Sequence, residues 1–517
     1  MAIVRDIGCP VESGSFRLSV VGFSLSVLGR PRAVSASRGQ PKTGNRQTIT
    51  SISHVARPNR ASRRIARTGV TSLTLLLVGC ADTLQPEAVC PPLPAALPTT
   101  DVTVTLDPGQ RFQTIQGFGT TQRLFDDPHT TETFNASTLR AAAVPSASEQ
   151  AKILDALYRD LGLTRVRFHP EGVEPVNDNA DPNSTDLSKF NLKWKAADGH
   201  IDAVRSLLPR GVTTFYSSPV TVEPWMNESN PDEYVEWALV QLRHWKQRGL
   251  EMPYFSIINE PGFYGGVTTW SGAWLRDVVK RLGARLAAEG IRTKLVVPDD
   301  VSPVEAYPRL QVILADPQAR QYIGAVAYHL YARGNEREIA QLAKQYGIPI
   351  WMSEYSTPDD WGKWATLTHE LLTEYDVSAV DYMWGYFGDW DRSQLIRLRV
   401  NGTSYAGYEL TRHYYAMGQY SRYVRPGAVR IAATSSDPEL KVAAFLNGDE
   451  PVIVVTGGSR DRTVRFDLGA AGKCGARVEA VRTSETESWK PLPEVTLDQP
   501  RFAGVVAAGS VTTFVAR

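Results

Sequence analysis

"YFSIINEPGF", residues 254–263, carries an apolar run straight into a carboxylate. Tyr254 to Ile258 read as one buried strand, and Pro261 and Gly262 stop it directly after Asn259 and Glu260. A charged residue at a strand end serves as readily as a cap as it does as a functional group. The surrounding pattern decides between the two. Seven more short apolar runs are spread along the chain: "QTIQGFG" (113–119), "TRVRF" (164–168), "TTFYSSP" (213–219), "KLVVPDD" (294–300), "AVAYHLY" (325–331), "IPIWMSEY" (348–355) and "AVDYMWGY" (379–386). Amphipathic segments separate them. "EQAKILDALYRDLG" places Ile153, Leu154, Leu157 and Leu161 on one stripe. "EYVEWALVQLRHWKQRG" and "WLRDVVKRLGARLAAEG" repeat the pattern and each ends at a Gly. Eight strands with interleaved helices predict an α/β chain, a (β/α)8 barrel over residues 113–415. The alternative, a doubly wound open sheet, more often shows a Gly-rich phosphate turn after its first strand. "GFGTTQ" lacks that spacing.

The flanks read differently. From residue 416 the helical period disappears. "LKVAAFLNG", "VIVVTGG", "TVRFDLG", "ARVEAVRTS" and "SVTTFVAR" are short strands between Gly, Asp and Asn turns, which predicts an all-β sandwich over 416–517. "DVTVTLDPG" (101–109) is a strand and turn ahead of the barrel, and residues 101–112 are expected to join the sandwich. Residues 1–80 read as an extension ending in a signal peptide of lipoprotein type. Arg60, Arg63, Arg64 and Arg67 form its basic part and Val70 to Val78 an apolar run too short to span a bilayer. "LVGC", Leu77 to Cys80, resembles a bacterial lipobox, in which the Cys is lipidated and becomes the mature N-terminus. The signal begins some fifty residues in, which points to a later start such as Val55. Residues 81–100 read as a Pro-rich tether. Export to the cell envelope or beyond is expected, with membrane contact only through the lipid.

Of the four cysteines, Cys9 precedes that later start and Cys80 is the lipidation candidate. Cys90 and Cys474 remain, and an exported compartment permits them to pair. No CxxC or His/Cys cluster suggests a metal site. Apolar content of 42% and charged content of 21% are those of a soluble globular protein, and a net charge of +1 gives no footing for nucleic acid.

The strand ends now matter, because the C-terminal ends of barrel strands build the active site in this architecture. Glu260 ends the fourth strand, and Glu354, in "WMSEYS", ends the seventh. Both can point into one cleft. Two carboxyl groups across a cleft are the working parts of a glycosidase: one stays protonated for the leaving oxygen, the other ionised. In a retaining enzyme they stand about 5–5.5 Å apart.

The same segments resemble the retaining glycoside hydrolases of clan A. "INEP" and "SEY" look like their acid/base and nucleophile signatures, and further segments narrow the resemblance to family 30. "TIQGFGTT", "LTRVRFHP", "SSPVTVEPWM", "AYHLY", "YYAMGQYSRYVRPGAVRI" and "SVTTFV" carry it over residues 101–517. The resemblance implies a barrel with a side sandwich completed by the N-terminal strand. It implies hydrolysis of a β-linked glycan with retention and without a cofactor; a monomer is expected. It makes Glu260 the general acid/base and Glu354 the nucleophile. Asn259 is expected to bond the sugar 2-hydroxyl, and Arg165 to hold Glu354 ionised, with Arg167 the second candidate. His329 and Tyr331 are expected beside the nucleophile, Trp384 under the sugar at the cleavage point, and Trp225 along the cleft. "GFGTTQRLFDDPHTTETFN" and "MWGYFGDWD" depart from the family's loops. Xylan, β-1,6-glucan and β-1,6-galactan therefore stay open as substrates. An exo-acting enzyme on short glycosides and a non-catalytic carbohydrate-binding envelope protein are the alternatives.

Overall fold

A computed structural model describes residues 100–127, 144–220, 223–262, 270–388, 392–401, 404–473 and 475–517. The expected signal peptide, the tether, Cys80, Cys90 and Cys474 lie outside the described residues. No helix among the described residues is long and apolar enough to cross a membrane.

Eight parallel strands close into a barrel. They are β2 (Gly117–Thr121), β3 (Arg165–Phe168), β4 (Thr214–Ser217), β5 (Tyr254–Ser256), β6 (Lys294–Asp300), β7 (Ile323–His329), β8 (Ile350–Glu354) and β9 (Val377–Tyr382). β2 closes the ring by pairing with both β3 and β9. Helices cover the outside, so the strands are buried on both faces and read as nearly continuous apolar runs. Several helices begin where the side chain of a polar residue accepts a backbone N–H: Ser146, Ser271, Ser302 and Asp360. All four stripe residues Ile153, Leu154, Leu157 and Leu161 are buried.

Inside the barrel, Tyr216 and Trp351 pack with the small side chains of Ala325, Ala327 and Ala379. Space is left for one polar layer. Arg165 makes two 2.9 Å bonds to Asp381, and Tyr216 donates to the same carboxylate at 2.8 Å. The Arg165 guanidinium also lies 4.0 Å from the centre of the Trp351 ring. Gly119 is required here, because a Cβ would stand 2.3 Å from the Asp381 carboxylate and 2.5 Å from Arg165 Cβ.

Beyond the barrel, β13 (Val429–Ser435), β14 (Lys441–Asn447), β15 (Glu450–Thr456), β16 (Arg462–Asp467), β17 (Arg477–Thr483), β18 (Lys490–Pro491), β19 (Val495–Thr496), β20 (Arg501–Val506) and β21 (Val511–Ala516) form one sheet with β1 (Val102–Thr114). The sheet folds over on itself as a sandwich. Phe466 of β16 meets Phe514 of β21 at 4.7 Å between ring centres, although four strands separate β16 from β21 in the hydrogen-bonded order. β1 sits inside that sheet, antiparallel to β13 and parallel to β16, as expected of residues 101–112.

Three boundaries differ from expectation. β1 runs to Thr114, so the strand expected at 113 begins instead at Gly117. Gly117, at φ +113°, turns the chain from the sandwich into the barrel. The eighth barrel strand is followed by a small sheet of β10 (Tyr386–Phe387), β11 (Ile396–Asn401) and β12 (Ser404–Leu410). The helix Arg412–Ser421 then straddles the expected boundary at 416. It is bonded to the sandwich: Gln419 donates to the Thr483 hydroxyl at 2.7 Å, and Thr513 donates to the Gln419 carbonyl at 2.7 Å.

Candidate active site

β5 ends at Ser256, and Ile257 and Ile258 continue into the core before Asn259 and Glu260 reach the barrel mouth. Glu260 has a left-handed backbone, φ +50°, and its N–H donates to the Asp299 carbonyl at 2.9 Å. A non-Gly residue in that region is uncommon and marks a position the surroundings impose. The Glu260 carboxylate meets His329 at the end of β7. Glu354 arrives as the last residue of β8.

The carboxylates of Glu260 and Glu354 and the ring of His329 each offer an atom within 4.8 Å of the others. His329 Nδ1 is 2.9 Å from Glu260 Oε1 and 3.8 Å from Glu354 Oε1. The Tyr331 hydroxyl donates to Glu354 Oε1 at 2.8 Å. Tyr331 itself is 44% exposed, so the pair of carboxylates opens to solvent on its side.

The cation beside Glu354 is Arg167, which donates from Nη1 to Oε2. This corrects the expectation for Arg165. Both side chains point into the barrel, but Arg165 lies one layer deeper, on Asp381. Arg167 stands at the mouth, and its Nη2 donates to Asn259 Oδ1, to Ser218 Oγ at 3.0 Å and to Asp299 at 3.2 Å. Asn259, buried, thus has its oxygen committed to Arg167, and its amide shows no hydrogen bond among the described residues.

Asp299 is a partner that sequence reasoning missed. It is the last residue but one of β6, with φ +61°, and is fully buried. It accepts from the hydroxyls of Ser218, Ser256 and Ser353 as well as from Arg167, and lies 3.5 Å from His329 Nε2. The signal was present in "KLVVPDD", an apolar strand that ends in carboxylates just as "YFSIINE" does.

These contacts sort the charges. Burial by itself raises the pKa of Glu354, but the cations of His329 and Arg167 outweigh it and hold the group at about 2. Burial lowers that of His329, and the carboxylates of Glu354, Asp299 and Glu260 reverse this, lifting it to about 10. Burial likewise opposes the charge on Asp299, yet Arg167 and His329 keep it well below the usual carboxylate range. His169 is held neutral by burial and by Arg167. Two anions, Glu354 and Asp299, thus face two cations, Arg167 and His329.

The two expected indoles fare differently. Trp384 is only 6% exposed, with its ring stacked on Phe387 at 4.6 Å, so the open floor expected there is not present. Trp225 is half-buried and donates to the Glu174 carbonyl at 2.7 Å, on the loop after β3. Among the described residues Asp178, Glu233 and Glu236 form a second, separate group of potential metal ligands.

No family model matches the chain. It is 26% identical over 282 residues to glucuronoxylanase XynC of Bacillus subtilis (strain 168), an alignment covering 52% of this chain and 62% of that protein. It thus spans less than two thirds of that relative's length. Endo-1,6-β-D-glucanase neg1 of Aspergillus fumigatus is 23% identical over 434 residues, 75% of this chain and 85% of that one. Among solved structures, the catalytic domain of the family 30 xylanase C from Talaromyces cellulolyticus superposes with a TM-score of 0.64 at 21% identity, covering 80% of this chain and 100% of that one. The family 30 subfamily 8 xylanase of Clostridium acetobutylicum gives 0.62 at 22% identity, covering 80% and 99%. In sequence and in fold, then, the chain resembles the glycoside hydrolases of family 30.

Proposed function

We propose that this protein is a retaining β-glycoside hydrolase that cleaves a β-linked polysaccharide or oligosaccharide. One observation carries the reading. Glu260 and Glu354, from the fourth and seventh strand ends, present oxygens within 4.8 Å of each other. That spacing suits attack by one carboxylate and leaves no room for the water that an inverting pair, about 6.5–9.5 Å apart, places between sugar and base.

Glu354, held ionised, attacks the anomeric carbon while the bond to the leaving oxygen breaks. Glu260 gives its proton to that oxygen, and the leaving sugar departs as an alcohol. A water then enters. Glu260 takes its proton, the water oxygen bonds to the anomeric carbon, and the ester to Glu354 breaks. Both carboxyl groups end as they began. His329, bonded to Glu260 and 3.8 Å from Glu354, provides a positive charge between the two groups in both steps. Asn259 offers its amide to the 2-hydroxyl of the sugar.

The relatives' names keep xylan, β-1,6-glucan and β-1,6-galactan as candidates. The signal-like segment and Cys80 support export with a lipid anchor, and we read the chain as a monomer. Reducing-sugar release from the three glycans, with Glu354→Gln as the control, tests the activity. Equal release by the unmodified protein and the variant, or none by either, overturns it.

A further inference from the structure

Trp384, the indole expected to hold a sugar, is covered, whereas another on the same rim is open. Trp194 lies between β3 and the helix Asp198–Leu207, at the barrel mouth. It is 42% exposed, one of the few large apolar side chains left in solvent. Its backbone is left-handed, φ +44°, where a bulky side chain is a strained outlier. Its indole N–H is fixed by Asp126 Oδ2 at 2.8 Å. The ring is thereby held in one orientation with its N–H already satisfied, so what it offers a ligand is an apolar face. One face carries a cation and the other is left to a ligand. Lys195 Nζ lies over the ring, 5.4 Å from its centre, and pairs with Glu171 at 3.0 Å and Asp127 at 3.2 Å.

This surface connects to the catalytic pair. Asp127 and Glu171 both face Arg123, at 3.2 and 3.7 Å, and the Arg123 guanidinium lies 5.3 Å from the Trp384 ring at the eighth strand end. His329 and Tyr331 fill the sixth-strand side of the space between the carboxylates. The contacts that run from Trp384 through Arg123, Asp127 and Lys195 to Trp194 put the open indole on the rim that continues from the eighth strand end.

We propose that Trp194 is the platform of a second glycone subsite, which binds a pyranose unit beyond the one being cleaved. Pyranose rings present C–H faces, and these stack on indole. This rests on the glycosidase reading and deepens it. The substrate is a chain that extends past the cleavage point toward its non-reducing end, and single-sugar glycosides are poorer substrates.

The test uses oligosaccharides of two to five units from xylan, β-1,6-glucan and β-1,6-galactan, with the full chain and its Trp194→Ala and Trp194→Phe variants. On the longer members of the cleaved series, Trp194→Ala is expected to raise KM by about tenfold, the scale of one aromatic stacking contact, with a smaller change in kcat. Trp194→Phe, which keeps a ring, recovers most of that loss. Binding of the same series to Glu354→Gln, with and without Trp194→Ala, repeats the comparison without turnover. An unchanged KM and unchanged binding in Trp194→Ala, while the unmodified protein cleaves the glycan, overturn the platform alone. An equal loss in Trp194→Phe and Trp194→Ala overturns it too, because the loop and not the ring is then responsible. No cleavage of any series by the unmodified protein overturns the glycosidase reading and the subsite with it.

Discussion

Glu260 and Glu354 differ in what surrounds them, and the difference assigns their roles. Glu354 has Arg167 and Tyr331 on its oxygens, whereas Glu260 has His329 alone among the side chains of the described residues. Glu354→Ala is expected to abolish turnover, because no nucleophile remains. Glu260→Ala is expected to keep the first step on an aryl glycoside, whose leaving group needs little protonation, and to stall at the second. Azide needs no base, so it is expected to restore turnover and give a β-glycosyl azide, with the α-azide from Glu354→Ala. Product configuration by NMR checks this, and exchanged products would mean exchanged roles.

A second expectation concerns pH. His329 is raised in the fold from 6.5 to about 10, so the stability it adds is complete below pH 6.5 and is lost as pH rises through about 10. Its source is the charge of Glu354 together with the bonds to Asp299 and Glu260. Melting temperature is therefore expected to fall between pH 7 and 10 more steeply in the unmodified protein than in His329→Gln. Parallel curves would remove the charged His329 from the account. The two carboxylates were legible in the sequence because each ends an apolar strand. Choosing Arg165 over Arg167 was not, because alternation along "TRVRF" puts both on the inner face. Only their depth, about 7 Å apart at 3.3 Å per residue, separates a buried plug from an active-site cation.

At the scale of elements, the strand–helix alternation was legible throughout, while boundaries failed where a distant partner set them. β1 outruns its expected end because Arg111 and Thr114 pair with Ile431 and Val429 of β13, some three hundred residues away. β10 to β12 were missed because the loop after the eighth strand has no strong period and folds as a sheet through pairing with itself. The Arg165–Asp381 layer yields a test of the barrel's interior. Removing one partner leaves a buried charge, so Asp381→Ala is expected to cost about 3–5 kcal/mol. The double change Arg165→Met with Asp381→Leu is expected to cost far less, since no charge is then stranded. Urea unfolding of both variants checks it, and an equal loss in the two would mean that packing and not charge governs this layer.

For the whole molecule, two bodies share one chain in an interleaved order: sandwich strand, barrel, sandwich. β1 is an interior strand, so removing it opens two edges at once, on β13 and on β16. A chain begun after Thr114 is therefore expected to aggregate, whereas one begun at Thr100 stays in solution with a single melting transition. Light scattering of the purified chains distinguishes them. Equal solubility would show that β1 is dispensable.

The place of β1 also sets a schedule for synthesis. Thr103 donates to the Ser436 hydroxyl across 333 residues of sequence. A ribosome adding roughly 5–20 residues per second makes that stretch in roughly 17 to 67 s. For all of that time a finished strand, alternately apolar, has no partner of its own. The barrel can close while it waits, but the sandwich cannot begin. The interval just before the last hundred residues emerge is thus when a nascent chain is most open to pairing with a neighbour, and slower initiation on the message, which spaces the chains apart, protects the product more than slower elongation does.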